Sequence, residues 1–436
     1  MASPTPTADG RYGAYALGVL LVAYVFAFMD RQILGLLVEP IKHDLKLNDL
    51  QISLLQGLAF AVFLSLAGLP IGRAIDTGRR TGLLALGIGL WSLAAAAGGL
   101  ARAFWPLFLS RVGVGVGEAV MTPCAYSLIG DYFSRRRQGL AISVFAIGPY
   151  LGAGLALVLG GALVSLPGVA RLGVRPWQAA FLAVGLAGFV PALWVATLRE
   201  PARLGQGERP PTWQEVAAYA RIHGGAALGV MLSQAFLSMA TYAAFAWSPA
   251  MLIRTFQASP LETGRDLGLL SVACGSAGTL SAGLIGDVLR RGGAKNGRVI
   301  VLIAGVLAAG AAGGLLAAAT GRDQVLALVG VFLTGATLAS GSCPALLQEI
   351  TPGRLRGVQH ALAVLTSNLI GLGMGPTAVA LVTDLVLHDE RRLKLSLAIA
   401  LPVMLAVAAV LAVAVARRYR ASLAAMDENA SKGLAT

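Results

Sequence analysis

A chain of 436 residues with 56% apolar and only 13% charged side chains has too little charge to cover a water-soluble globule of its size. Its formal net charge of +13, from 34 Lys and Arg against 21 Asp and Glu, would suit a nucleic-acid binder, but the basic residues are spread over many short stretches and form no basic domain. The mean hydropathy of +0.74, with apolar runs of about 20 residues that can each cross roughly 30 Å of hydrocarbon, specifies an all-α polytopic membrane protein.

Twelve transmembrane helices are predicted, near 12–37, 51–72, 81–101, 105–128, 138–165, 177–197, 225–253, 265–287, 297–318, 322–348, 356–384 and 393–416. The N-terminal MASPTPTADGR lacks the basic start of a signal peptide, and the apolar run after it is too long for one, so it reads as a retained first span. Residues 1–11 form a tail, 12–197 a first six-helix bundle, 198–224 a polar linker, 225–416 a second six-helix bundle, and 417–436 a second tail. In the linker, a loop around Pro210 and Pro211 is expected to precede a helix WQEVAAYARIH lying along the membrane surface. With the N-terminus in the cytoplasm, 21 of the 34 basic residues fall on cytoplasmic segments, 11 on outer loops and two, Arg31 and Arg111, inside spans. This bias follows the positive-inside rule and places both termini in the cytoplasm.

In the first span, LVAYVFAFMDRQILGLLVEP carries Asp30 and Arg31 side by side. A charge at the centre of a membrane helix costs about 2.5–3.5 kcal/mol on insertion scales, which favours a polar cavity or a partner. The two residues are about 100° apart on a helical wheel and cannot both face one target in the same way. In the fourth span, Arg111 and Glu118 lie two turns apart on one face, beside Gly115 and Gly117, which would let another helix approach closely. The economical pairing is Arg31 with Glu118, with Asp30 accepting hydrogen bonds nearby or competing for the same arginine. Arg111 would either join this set or snorkel to the outer interface.

Ionised Glu118 would hold Arg31, and protonated Glu118 would release it to an anionic group, so Asp30, Arg31 and Glu118 are the candidates for a proton-coupling or substrate switch. A fixed ion pair that sets helix register is the alternative. Tyr24, Phe28, Tyr126 and Tyr150 in the first half, and Gln234, Tyr242, Trp247, His360, Thr366, Ser367 and Asn368 in the second, could supply polar anchors and apolar walls to a cavity, or serve as ordinary packing.

The halves echo each other. GRAIDTGRR at 72–80 and GLIGDVLRR at 283–291 both place Gly four residues before Asp, with paired Arg beyond. DYFSRRRQG at 131–139 and EITPGRLRG at 349–357 both open on an acid and end on Gly eight residues later. These turns put Gly72, Asp76, Gly78, Arg79, Arg80, Asp131 and Arg135 of the first half, and Gly283, Asp287, Arg290, Arg291 and Glu349 of the second, at the cytoplasmic face as candidate gate residues. There, acids and arginines could pair when that face closes. Matching six-span halves are expected of alternating-access carriers. GPYLGAG at 148–154 and NLIGLGMGP at 368–376 occupy equivalent spans, where glycines permit close crossings and Pro149 and Pro376 permit bending. No G-x-x-x-x-G-K-[ST] loop is present, so ATP-driven pumping finds no support within the chain. Cys124, Cys274 and Cys343 read as small buried thiols.

Gly72, Asp76, Gly78, Arg79 and Arg80 resemble the signature between spans two and three of the major facilitator superfamily, although Thr77 stands where that family usually has a basic residue. RVGVGVGE at 111–118 resembles its fourth-span motif. Within the superfamily, MDR at 29–31, GEA at 117–119, PCAYSLIGDYFSRRRQG at 123–139 and RPWQAAF before span six resemble the spinster-like branch. That resemblance implies a bacterial inner-membrane carrier and an amphiphilic or lipid-like anionic solute, as in the lysolipid and sphingoid-phosphate transport associated with the branch. The expectation is therefore a secondary transporter, not an enzyme, coupled to protons and needing no other cofactor and no metal. Its partners are membrane lipids and its solute, with no nucleic acid and no obligate protein subunit, so that a monomer suffices. A carrier of drugs, sugars or organic acids, or a membrane receptor or structural protein without turnover, are the competing readings.

Overall fold

The computed structural model describes residues 10–166, 173–203, 212–294 and 296–431; Pro210, Pro211 and the Arg135 side chain lie outside what is described. Among the described residues twelve helices are long and apolar enough to cross a membrane. They run Arg11–Leu36, Asp49–Gly68, Arg80–Gly98, Phe104–Tyr132, Arg136–Ser165, Pro176–Ala196, Trp213–Phe256, Pro260–Arg291, Gly297–Leu315, Arg322–Glu349, Gly353–Leu387 and Glu390–Met426. Six precede and six follow the long polar connection, the layout of two six-helix bundles, and the protein is a multi-pass membrane protein.

Proline decides where several spans bend. Its ring clashes with the carbonyl four residues back and it offers no N–H. Helix one stops at Leu36, four residues before Pro40, and a short helix Val38–Leu45 continues from it. Span four breaks after Glu118, where Pro123 opposes the carbonyl of Ala119, and resumes at Met121. Span five breaks after Phe145, four before Pro149, and span six after Ala187, four before Pro191. In span eleven a π-helical stretch, Ser367–Leu372, leads into Pro376. Such wide turns accommodate the lost hydrogen bond without ending the helix.

Span seven shows the opposite behaviour. Trp213–Phe256 is one uninterrupted helix of 44 residues, about 66 Å at 1.5 Å per residue. The segment WQEVAAYARIH is helical, as its composition suggests, but it extends this span directly and does not form a separate surface element. Gly224 and Gly225 fall within it, and the good helix formers on either side carry the helix through them.

The chain packs as two compact units, one of Met1–Gln206 with Phe245–Val272, the other of Gly207–Ala244 with Ala273–Thr436. In the first unit span one lies on span five, and span four on spans two and three. The first part of span eight, within Pro260–Leu270, lies on span five. This last contact is backbone-close: a Cβ at Gly154 would sit 2.8 Å from the Gly268 carbonyl, and one at Gly268 would sit 2.7 Å from the Gly154 carbonyl. In the second unit span nine packs on spans ten and twelve, and span ten on the later part of span eight. Cys124 and Cys343 are buried, and Cys274 is half-buried.

Candidate functional site

Four charged side chains meet in the first unit where spans one and four pack, three of them almost wholly buried. On span one, the helical period puts Tyr24, Phe28 and Arg31 on one face and turns Asp30 away from them. Arg31 Nε donates to Glu118 Oε2 at 2.6 Å, and Arg111 Nη1 donates to Asp30 Oδ2 at 2.8 Å. Adjacent residues of span one thus reach partners separated by seven residues, about 10 Å, on span four. One arginine in each pair supplies the reach. The Arg31 guanidinium lies between two aromatic faces, 4.7 Å from the Phe28 ring centre and 4.5 Å from that of Phe60, and Arg111 lies 5.8 Å from the same Phe60 ring.

Asp30, Arg111 and Glu118 are at most 2% exposed, whereas the Arg31 side chain retains 14%. Arg111 therefore does not snorkel; it is a core cation held by Asp30. The sum over the quartet is electrically neutral, but its hydrogen bonding is incomplete. Asp30 Oδ1, Glu118 Oε1 and Arg111 Nε are buried with no hydrogen-bond partner among the described residues. Each such atom left without a partner costs about 1–3 kcal/mol.

Two local features place Glu118. The Pro123 break comes directly after it, so its helix ends in a turn that can rearrange. The alternating glycines before it let neighbours close in: a Cβ at Gly115 would lie 2.6 Å from the Phe60 carbonyl oxygen, and one at Gly117 would lie 2.6 Å from the Trp91 amide. Beside the quartet, Tyr24 stacks on Phe145 at 4.4 Å, meets Phe28 edge-on at 5.3 Å, and Tyr126 meets Phe145 edge-on at 5.7 Å. The Tyr150 carbonyl accepts from the Ser271 hydroxyl.

Candidates in the second half are dispersed. Gln234 donates to Ser238 at 3.2 Å, the Thr366 hydroxyl donates to the Leu362 carbonyl, and Tyr242 and Asn368 are half-buried. His360 lines a recess near the start of span eleven. Trp247 is fully buried in the first unit, with Arg254 over its ring at 5.9 Å.

Each unit clasps its own echo acid. In the first unit Arg80, 1% exposed, pairs with Asp131 and donates to Glu200 at 2.6 Å and to the Ser127 hydroxyl at 2.8 Å. Arg203 caps the carbonyls of Ile75, Asp76 and Gly78. Asp76 and Arg79 are exposed, and the Asp76 carboxylate has no partner among the described residues. Nothing lies within 4 Å of a Cβ built on Gly72 or Gly283. In the second unit Glu349 accepts from Arg290 at 2.5 Å, from Arg298 at 2.7 Å and from the Tyr419 hydroxyl, while Asp287 accepts from Arg298 at 3.2 Å and Arg291 is exposed. Arginines from the matching turns, Arg80 and Arg290, thus meet the matching acids, Asp131 and Glu349.

Glu200 offers a direct test of the first clasp. Burial alone would raise its carboxyl, but the Thr81 amide and the Arg80 guanidinium outweigh burial and hold it below its usual 4.5. A depressed acid stabilises the fold above its unfolded pKa and loses that contribution as pH falls through its folded one. Wild type is therefore expected to melt above Glu200→Gln at about pH 6, with the gap closing as the pH falls below 4.5 and the carboxylate takes up its proton. A gap independent of pH would rule this out.

At the opposite ends of the spans lies a second neutral quartet that the sequence alone did not single out. Arg254 of span seven grips Asp49 through Nη1 and Nη2, at 2.7 and 2.8 Å, and donates from Nε to Glu39 at 2.6 Å; Lys42 joins Asp49 at 2.5 Å. Asp49 is fully buried. This quartet fastens the far part of span seven to the connection between spans one and two, within the first unit. Arg254→Gln leaves two acids to one ammonium. In a background without the native cysteines, Ala250→Cys, buried here at 1% exposure, is then expected to react several-fold faster with an impermeant maleimide. An unchanged rate would mean that the quartet does not hold this end shut.

The Major Facilitator Superfamily profile matches residues 20–376. The chain belongs to the major facilitator superfamily. This facilitator is 28% identical over 378 residues to an MFS-type efflux pump of Mycolicibacterium smegmatis, covering 86% of this chain and 85% of the relative. It is 27% identical over 402 residues to protein spinster homolog 1 of Homo sapiens, covering 85% and 74%. In fold it is similar to the crystal structure of a bacterial homolog to the human lysosomal transporter spinster in an inward-facing and occupied conformation, with a TM-score of 0.77 at 24% identity over 95% of this chain and 97% of that one. The facilitator thus has a transporter fold and sits structurally beside the spinster-like branch.

Proposed function

We propose that this facilitator is a proton-coupled secondary carrier of an amphiphilic, lipid-like anion, working by alternating access in a bacterial inner membrane with both termini cytoplasmic. The observation that carries the reading is the asymmetry within one ion pair: Glu118 is wholly buried, while Arg31 keeps an accessible edge between Phe28 and Phe60. A headgroup can approach Arg31, and the aromatic face of Tyr24 and Phe28 offers an apolar wall beside it.

Protonation of Glu118 removes the partner of Arg31 and leaves the quartet at one net positive charge. A monoanionic headgroup taking Glu118's place restores neutrality, so proton and anion favour each other's binding. Asp30 keeps Arg111 neutralised throughout. The two six-helix halves, 12–197 and 225–416, would form the moving bodies, with Asp76, Arg79, Arg135, Asp287 and Arg291 acting at the cytoplasmic gate. The likeness to spinster homolog 1 supports a lipid-like solute; the likeness to an efflux pump supports a drug as the competing solute.

Uptake into proteoliposomes separates these. A panel of lysolipids differing in headgroup, plus a cationic dye, is offered with imposed and with collapsed pH gradients. Accumulation of anionic lysolipids that follows the gradient is expected. Accumulation of the dye alone, or uptake indifferent to the gradient, would overturn the solute or the coupling respectively.

A further inference from the structure

The second unit contains a polar recess that the charge quartet does not explain. It has a volume of about 70 Å³ and is lined by Gln348, Thr351, Arg356, Gln359 and His360 over an apolar floor. No carboxylate lines it. Glu349, next in sequence to Gln348, is already taken by Arg290, Arg298 and Tyr419. Among the described residues Arg356 makes one hydrogen bond, from Nε to the Thr351 carbonyl at 3.3 Å, and pairs with no acid. The recess therefore presents a guanidinium whose charge is not neutralised, with the exposed Gln348 amide and the His360 imidazole beside it, while the buried Thr351 hydroxyl and Gln359 amide are engaged by the Leu347 carbonyl and the Met231 sulfur.

The helix that carries it, Arg356–Thr366, has three distinct faces. At about 100° per residue, Val358, Leu362 and Leu365 share one side, where Val358 and Leu362 are 38% and 45% exposed, as suits lipid. Gln359 is buried on a second side, its amide against the Met231 sulfur at 3.4 Å. Arg356, His360 and Ser367 fall within about 40° of one another on the third side, which carries exposed Arg356 and His360. Exposed Arg and His on a face turned away from the lipid side mark a wet surface, because facing hydrocarbon would cost several kcal/mol.

We infer that this recess is a second anion-binding site at the start of span eleven, taking a phosphate-type oxyanion such as the headgroup of a single-chain amphiphile. A planar guanidinium with the exposed Gln348 amide nearby suits an oxyanion, and the absence of a lining acid removes the competitor such a headgroup would meet at Arg31. The choice of an amphiphile as ligand rests on the function proposed above; the oxyanion chemistry does not.

The test uses the full-length protein in maltoside micelles, in an Arg31→Gln background that disables the quartet, with radiolabelled dodecyl phosphate as probe. Binding is expected, weakened at least about tenfold by Arg356→Gln and by Gln348→Glu, and restored to within a few-fold by Arg356→Lys, the scale of one lost charge-assisted contact. Gln348 is exposed and its replacement leaves Arg356 in place, so a folding defect in one variant does not decide the outcome. Competition by inorganic phosphate marks a site for any free oxyanion; competition only by phosphatidylglycerol marks one for bilayer headgroups, and either result supports the inference. No binding in the Arg31→Gln protein, or binding indifferent to both Arg356→Gln and Gln348→Glu, overturns it. Failure of lysolipid transport by wild type with Arg356-dependent binding intact would sink the proposed function and leave this site standing.

Discussion

Glu118→Gln is expected to abolish solute-coupled proton movement while leaving headgroup binding intact or stronger. Glutamine keeps a carbonyl where Glu118 Oε2 accepts from Arg31 Nε, so the packing around the Pro123 turn has little reason to change. On the proposed mechanism it removes the charge that would compete with an anion for Arg31, and the group that would take up the proton. Accumulation driven by a pH gradient should fall by at least about tenfold, the effect of losing ~1.4 kcal/mol of coupling. Counterflow in the absence of a gradient should persist. Proteoliposomes containing a pH dye and a labelled lysolipid read both quantities in one experiment. Coupling that survived the substitution would falsify the assignment of Glu118.

The second large effect concerns Asp30 and Arg111, which belong to the quartet but lie out of reach of a headgroup. Asp30→Asn leaves a guanidinium that is 1% exposed without its counter-charge, and breaking a buried pair on one side typically costs about 3–5 kcal/mol. Arg111→Met strands the carboxylate instead and should cost a similar amount. The double variant removes both charges and is expected to recover at least half of the loss, since an apolar replacement of a buried pair is often neutral. Thermal inactivation in detergent, measured for all four proteins, gives the coupling between the two positions. Purely additive losses would show that Arg111 and Asp30 do not depend on each other.

Much of the fold was legible because a membrane span leaves little freedom: length, hydropathy and loop charge locate twelve spans, most to within a few residues, while span seven begins twelve residues earlier and span twelve ends ten residues later than their apolar cores. The meeting of Arg31 with Glu118 was legible too, since two central charges of opposite sign on neighbouring spans need each other. The partner of Arg111 was not, because the wheel fixes which face a residue occupies but not how far an arginine arm leans along the axis. The quartet of Glu39, Lys42, Asp49 and Arg254 escaped notice for a different reason. Three of its members sit in what reads as an ordinary charged loop, and only the packing reveals that Asp49 is fully buried. The one available sign was Arg254 in the apolar stretch SPAMLIRTF. Continuity of span seven through Gly224 and Gly225 was equally hidden, because a glycine pair weakens a helix without ending it.

The neutrality of the central quartet has an electrical consequence. Two acids and two arginines present no net charge for the transmembrane voltage to act on, whereas a single added proton does, at about 2.3 kcal/mol per 100 mV if it traverses the whole field. Returning empty or carrying proton and monoanion together, the carrier would cross silently; loaded with the proton alone, it would drag current. Clamping the potential with valinomycin would then leave balanced turnover untouched and tax only the leak.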